Sequence, residues 1–141
     1  MNNKIKFKSV FTTLHDNKQQ IIQFDAPLTI EEYPEEGFKQ LIFNEPKLNQ
    51  KNIIELYDNK AIFYTDNTTV ELLQEGFGDV TINLTVPNNP NPIVMNWFTK
   101  VQEFTVSSNY LNFKYQMYSD KDTEAHTEFD LQIEIYQTEA N

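Results

Sequence analysis

From Tyr110 to Tyr118 apolar and polar residues alternate, with Leu111, Phe113, Tyr115 and Met117 on one side and Asn112, Lys114 and Gln116 on the other. The same happens from His126 to Gln137, where Phe129, Leu131, Ile133 and Ile135 oppose Glu128, Asp130, Gln132 and Glu134. A period of two predicts strands with one dry and one wet face. The polar segment Ser119 to Ala125 joins them as a hairpin. Burying a large apolar side chain is worth roughly 1.5–3 kcal/mol, so the dry face of this hairpin demands a cover from the rest of the chain.

The preceding residues supply it. In Lys4 to Leu14, Ile5, Phe7, Ser9 and Phe11 alternate with Lys4, Lys6, Lys8 and Val10, and the lysines mark the solvent side. His15 to Lys18 reads as a turn, and in Gln19 to Asp25 the residues Ile22 and Phe24 share one side. Leu28 to Tyr33 pairs with Phe38 to Asn44 across Pro34 to Gly37. A polar connection, Glu45 to Lys51, contains Pro46. Asn52 to Tyr57 and Lys60 to Thr65 flank Asp58-Asn59, a tight-hairpin signal because both residues tolerate positive φ. Thr69 to Glu75 follows, then a turn at Gly76 to Asp79, then the clean alternation of Val80, Ile82, Leu84 and Val86 with Thr81, Asn83 and Thr85. Pro87, Pro90 and Pro92 cannot donate to a ladder, so that segment is a loop. Ile93 to Val106 is one long extended segment, whose lost phase near Phe98 to Val101 predicts a bulge. No stretch keeps a helical period.

An antiparallel meander of this length would leave long edges exposed if it stayed flat. The expected fold is therefore all-β, an up-and-down antiparallel barrel of about eight to ten strands, with a two-sheet sandwich as the other arrangement the pattern allows. A chain of 141 residues suits one domain, spanning residues 1–141.

Composition narrows the chemistry. The formal charge is −10 and no arginine occurs among the 11 basic residues. This opposes binding to nucleic acid or anionic membranes, and it removes the bidentate grip on phosphate or carboxylate. Cysteine is absent, so neither disulfides nor thiolate chemistry arise. Lysines break the apolar residues of the first eight positions, and no apolar run approaches the ~20 residues of a membrane helix. The expected location is cytoplasmic.

Several fragments carry a family resemblance: Asn52 to Lys60, the strand Thr69 to Leu73, Thr85-Val86-Pro87, Phe98 to Val101, and the strands Leu111 to Met117 and Phe129 to Tyr136. In these the chain resembles the YwiB-like family of small bacterial proteins of unknown function. The resemblance implies a calycin-like, lipocalin-like barrel, a fold that often holds small apolar ligands, and it supplies no catalytic residues. The chain departs from the family after Pro87, where an Asn/Pro-rich insertion replaces a Thr-Pro-Phe-Gly-like turn. It also lacks the Gly-x-Trp signature of true lipocalins; its one tryptophan is Trp97.

Candidate chemistry is sparse. Gly76-Phe77-Gly78 begins like a dinucleotide fingerprint, but Thr81 occupies the third glycine position and a strand follows. His15 and His126 have no metal-ligand spacing. The acidic clusters at Glu31-Glu32, Glu35-Glu36 and Asp120 to Glu128 lack a calcium-loop pattern and read as solvated charge. No serine sits in a nucleophile elbow. No catalytic residue, metal or cofactor is expected. The expected function is non-enzymatic binding of a small apolar ligand in or at the mouth of the barrel. Trp97, Phe113, Tyr115 and Met117 are its candidate lining, and Ser9 or Thr13 a polar anchor. The other reading is a protein-interaction module that uses a strand edge or the Pro87 to Pro92 loop.

Overall fold

The computed structural model describes residues 2–139; Met1, Ala140 and Asn141, at the ends of the expected domain, lie outside the described residues. Among the described residues the chain forms strands only: β1 (Asn2–Thr13), β2 (Lys18–Pro27), β3 (Thr29–Tyr33), β4 (Phe38–Glu45), β5 (Gln50–Leu56) and β6 (Lys60–Tyr64), then β7 (Thr68–Leu73), β8 (Phe77–Leu84), β9 (Ile93–Val106), β10 (Tyr110–Tyr118) and β11 (Thr127–Thr138). They make one eleven-stranded sheet in the order β2-β1-β11-β10-β9-β8-β7-β6-β5-β4-β3. Every pairing is antiparallel. The expected all-β meander is present, with more strands than the expected eight to ten. The eleven correspond one by one to the extended segments that the alternation marks, and β2 and β3 form a single run interrupted only at Leu28.

That interruption also decides how the sheet ends. β2 pairs with β1 as far as Pro27, and β3 pairs with β4 from Thr29 onwards. Pro27 has no N–H to offer a ladder. The next amide, Leu28 N–H, donates to the Asn3 carbonyl at 2.9 Å. The run thus changes partner at Leu28, and no ladder joins β2 to β3, which are the two ends of the hydrogen-bonded order. The barrel closure expected from strand count is not made by backbone hydrogen bonds. Side chains meet across the gap instead. Phe7 on β1 stacks on Phe24 of β2 with ring centroids 4.7 Å apart, and Phe43 on β4 lies 5.8 Å from Phe7 and 6.0 Å from Phe24.

The inward face follows the sequence phase closely. Leu111 pairs with Ile133, Phe113 with Leu131 and Tyr115 with Phe129. All but Phe129 are buried, and Phe129 packs against the same core. Ile5, Leu41, Ile54, Ala61 and Leu72 carry that core round the other strands. The bulge lies at Gln102, just past its expected place: Lys114 pairs with Glu103 while its neighbour Tyr115 pairs with Val101. The extra residue reverses the phase of β9, so Thr99 and Val101 face inward before it and Phe104 after it.

Two turns differ in detail from the sequence reading. Asp58 and Asn59 make the expected hairpin, with Tyr57 N–H donating to the Lys60 carbonyl at 2.9 Å, yet neither takes a positive φ. Asn17, Asn49 and Asn88 do, at 56°, 52° and 68°. The turn expected over Gly76 to Asp79 is already over at Gly76, whose φ is 82°, and Phe77 begins β8.

One hairpin outruns its neighbours. β8 and β9 stay paired to Leu84 and Ile93, whereas β7 follows β8 only to Ile82 and β10 follows β9 only back to Phe98. The tip, with the proline-rich loop, therefore stands beyond the adjacent strands. Leu84, Val86, Ile93 and Val94 are exposed there. From Val80 to Thr99 the sequence contains no Asp, Glu, Lys or Arg, in a chain of net charge −10.

Candidate functional site

The sequence-predicted site residues divide between core and rim. Phe113 is completely enclosed, with Phe63 and Phe104 edge-on at 5.7 and 5.0 Å. Tyr115 stacks on Phe129 at 4.8 Å, and burial pushes its hydroxyl pKa far above the ordinary tyrosine value. Met117 packs against the same core. Trp97 is half-buried at the rim and meets the His126 ring edge-on at 5.1 Å. Ser9 is buried on the inner face and Thr13 half-buried at the end of β1. Phe113, Tyr115 and Met117 follow one another along β10; Trp97 stands apart from them on β9.

The structure brings together two residues that the sequence kept apart. His15 and His126 lie 6.2 Å ring to ring, because Leu14 N–H bonds the His126 carbonyl at the shared end of β1 and β11. His126 Nδ1 is 2.7 Å from Thr127 Oγ1, and His15 Nε2 is 3.6 Å from Asp16. Among the described residues no group of three acidic or histidine side chains is placed to hold a metal ion.

A concave feature with an apolar wall lies elsewhere, at the seam. A cleft of about 400 Å³ opens between β2 and the β4–β5 turn, lined by Phe7, Ile22, Phe24, Glu45, Lys47, Leu48, Gln50 and Asn52. The partner change at Leu28 creates it: the first half of β2 has β1 on one side and no strand on the other. Phe7, Phe24 and Ile22 form the apolar wall. The turn opposite is shaped by Glu45, whose carboxylate accepts the Lys47 N–H at 2.9 Å and the Leu48 N–H at 2.6 Å. That arrangement is an Asx-like local cap, and it props Leu48 over the cleft mouth. Leu48 is 75% exposed and Ile22 45% exposed. Asn52 donates to the Gln50 carbonyl at 3.1 Å on the floor of the same side.

None of Trp97, Phe113, Tyr115 and Met117 borders this cleft. The sequence had placed Ile22 and Phe24 on one face correctly. Glu45 to Lys51 reads from sequence as a polar connection, and the signal for the cleft there is Leu48, a single large apolar residue in an otherwise polar turn. Another recess is lined by Asn59, Lys60, Leu73, Gln74 and Glu75, with Leu73 its one large apolar side chain. On the outer face Glu55 gathers hydroxyls from Tyr57 and Tyr64 at 3.3 and 3.0 Å and the Gln40 amide at 3.3 Å. Burial first and this carboxylate second push the Tyr64 pKa up to about 12. Glu55 is not part of the cleft.

The fold of this chain is similar to that of a known structure. The crystal structure of the ywiB protein from Bacillus subtilis superposes with a TM-score of 0.67, covering 94% of this chain and 90% of that one. The fold is YwiB-like. Sequence identity is 11%, so the likeness establishes the fold alone. No family model matches the chain. No curated protein matches it either. Among the described residues no helix is long and apolar enough to cross a membrane.

Proposed function

We propose that this YwiB-like protein binds a small, largely apolar molecule in the seam cleft and performs no chemistry on it. The reading is supported by one observation above all: Leu48 and Ile22, two large aliphatic side chains, stand 75% and 45% exposed on the wall of a cleft already lined by Phe7 and Phe24. Concave apolar surface of this kind is the usual seat of a ligand, and about 400 Å³ lies within the range such sites occupy. The ligand-binding expectation is thereby kept, with its location moved from the Trp97–Tyr115 region to the seam.

The probe for this reading is a neutral one, the primary amide of dansylundecanoic acid, whose fluorescence rises on leaving water. Leu48→Ser combined with Ile22→Asn is expected to weaken it about thirtyfold, since each lost contact is worth on the order of 1 kcal/mol. Urea stability is expected to change by less than about 1 kcal/mol, because both side chains are largely exposed in the free protein. Unchanged affinity in the double variant, or no binding by the parent, refutes the proposal.

A second reading, a protein-interaction module, draws on the projecting β8–β9 tip. Exposed Leu84, Val86, Ile93 and Val94 on an uncharged arm are unusual in so acidic a chain. A photo-crosslinking residue at Asn89 is expected to capture a partner, and Leu84→Asn with Val94→Asn to abolish the capture without moving the urea midpoint. Capture that survives these substitutions counts against the arm.

A further inference from the structure

We infer that the ligand of the seam cleft is an amphiphile with a carboxylate head, held at the mouth by Lys47. This inference rests on the proposed apolar cleft and adds the polarity of its occupant. Of the two charged side chains at the mouth, Glu45 is already engaged. Both of its oxygens accept amide hydrogens of its own turn, at 2.9 and 2.6 Å. Each of its two oxygens thus already holds one amide of that turn in place. Lys47 is in the opposite position: its ammonium makes no ion pair among the described residues. An ammonium group is a pure donor, with three hydrogens and no acceptor.

The cleft therefore presents an apolar body site at Phe7, Phe24 and Ile22 and a single uncommitted cation beside Leu48. An occupant that satisfies both has a hydrocarbon or aromatic body and an anionic acceptor at one end. One lysine balances the single charge of a carboxylate, whereas a phosphate monoester carries close to two negative charges. The protein's overall charge of −10 acts the same way, because repulsion grows with each further negative charge on the ligand.

The test compares dansylundecanoic acid with its neutral primary amide, on the parent protein, Lys47→Met and Lys47→Arg. The parent is expected to prefer the acid by about fivefold at low salt, the size of one partly exposed ion pair. Lys47→Met is expected to remove the preference and leave the amide's affinity unchanged; Lys47→Arg is expected to retain it. Equal binding of acid and amide by the parent overturns the carboxylate assignment while the apolar cleft stands. A preference that persists in Lys47→Met overturns the role of Lys47. Failure of both probes to bind the parent removes the cleft reading itself, and this inference with it.

Discussion

Ile133→Asp is expected to destabilise the protein by about 4 kcal/mol, a large share of the roughly 5–15 kcal/mol that holds a domain of this size together. Ile133 has no exposed surface. Its ladder partners are Phe7 on one side and Leu111 on the other, and both belong to the inward face. A carboxylate placed there meets apolar groups only and must either remain unpaired or take up a proton. Gln132→Asp, one residue away, is expected to stay within about 0.5 kcal/mol, since its side chain points to the wet face beside Lys8. Urea denaturation of the two variants in parallel decides the matter. Similar midpoints would mean that the phase of β11 is wrong.

The second large effect belongs to Gly78. It lies inside β8 opposite Thr99, and a Cβ built on it runs into the Glu71 carbonyl oxygen and comes within 2.7 Å of Thr99 Oγ1. That carbonyl, on β7, is not free to retreat, because it accepts the Thr99 hydroxyl at 2.6 Å from β9, across the glycine of the strand between them. Thr99 itself is fully buried. Gly78→Ala must therefore displace backbone and break this hydrogen bond together, at an expected cost of about 2–4 kcal/mol. Thr99→Val, which leaves the backbone in place and removes only the donor, is expected to cost about half as much. A Gly78→Ala variant as stable as the parent would show that β7 can move aside.

Much of this fold could be read from alternation alone, because every strand has one face against the core and the period of two is hard to imitate. Leu111 to Met117 and Phe129 to Ile135 illustrate the strong case: their dry faces are the buried faces. Asn112 illustrates its limit. Its position marks it as outward, and it is nevertheless buried, bonded to Asp130 at 2.8 Å and to the Leu131 carbonyl at 3.1 Å. Alternation names a side of the sheet; it does not say what lies over that side. The same gap explains the candidate site. Trp97, Phe113, Tyr115 and Met117 were identified as inward aromatic and sulfur-bearing residues, and inwardness is the same signal whether a side chain fills a core or lines a cavity. The cleft depends on where the ladder stops, which is set by Pro27, Leu28 and the stagger of β3 against β2. No local pattern announces that two consecutive residues bond to strands at opposite ends of a sheet.

The change of partner at Leu28 has a mechanical consequence. Anywhere else in the meander, parting two strands means breaking a row of backbone hydrogen bonds that act together. Across the seam no ladder runs, and the Phe43 ring of β4 meets the Phe7 and Phe24 rings of β1 and β2. Those contacts can slide or separate one at a time, so the gap can widen and close while every ladder stays zipped. The fold thus has a built-in compliant line, and it runs along the wall against which a guest molecule would press.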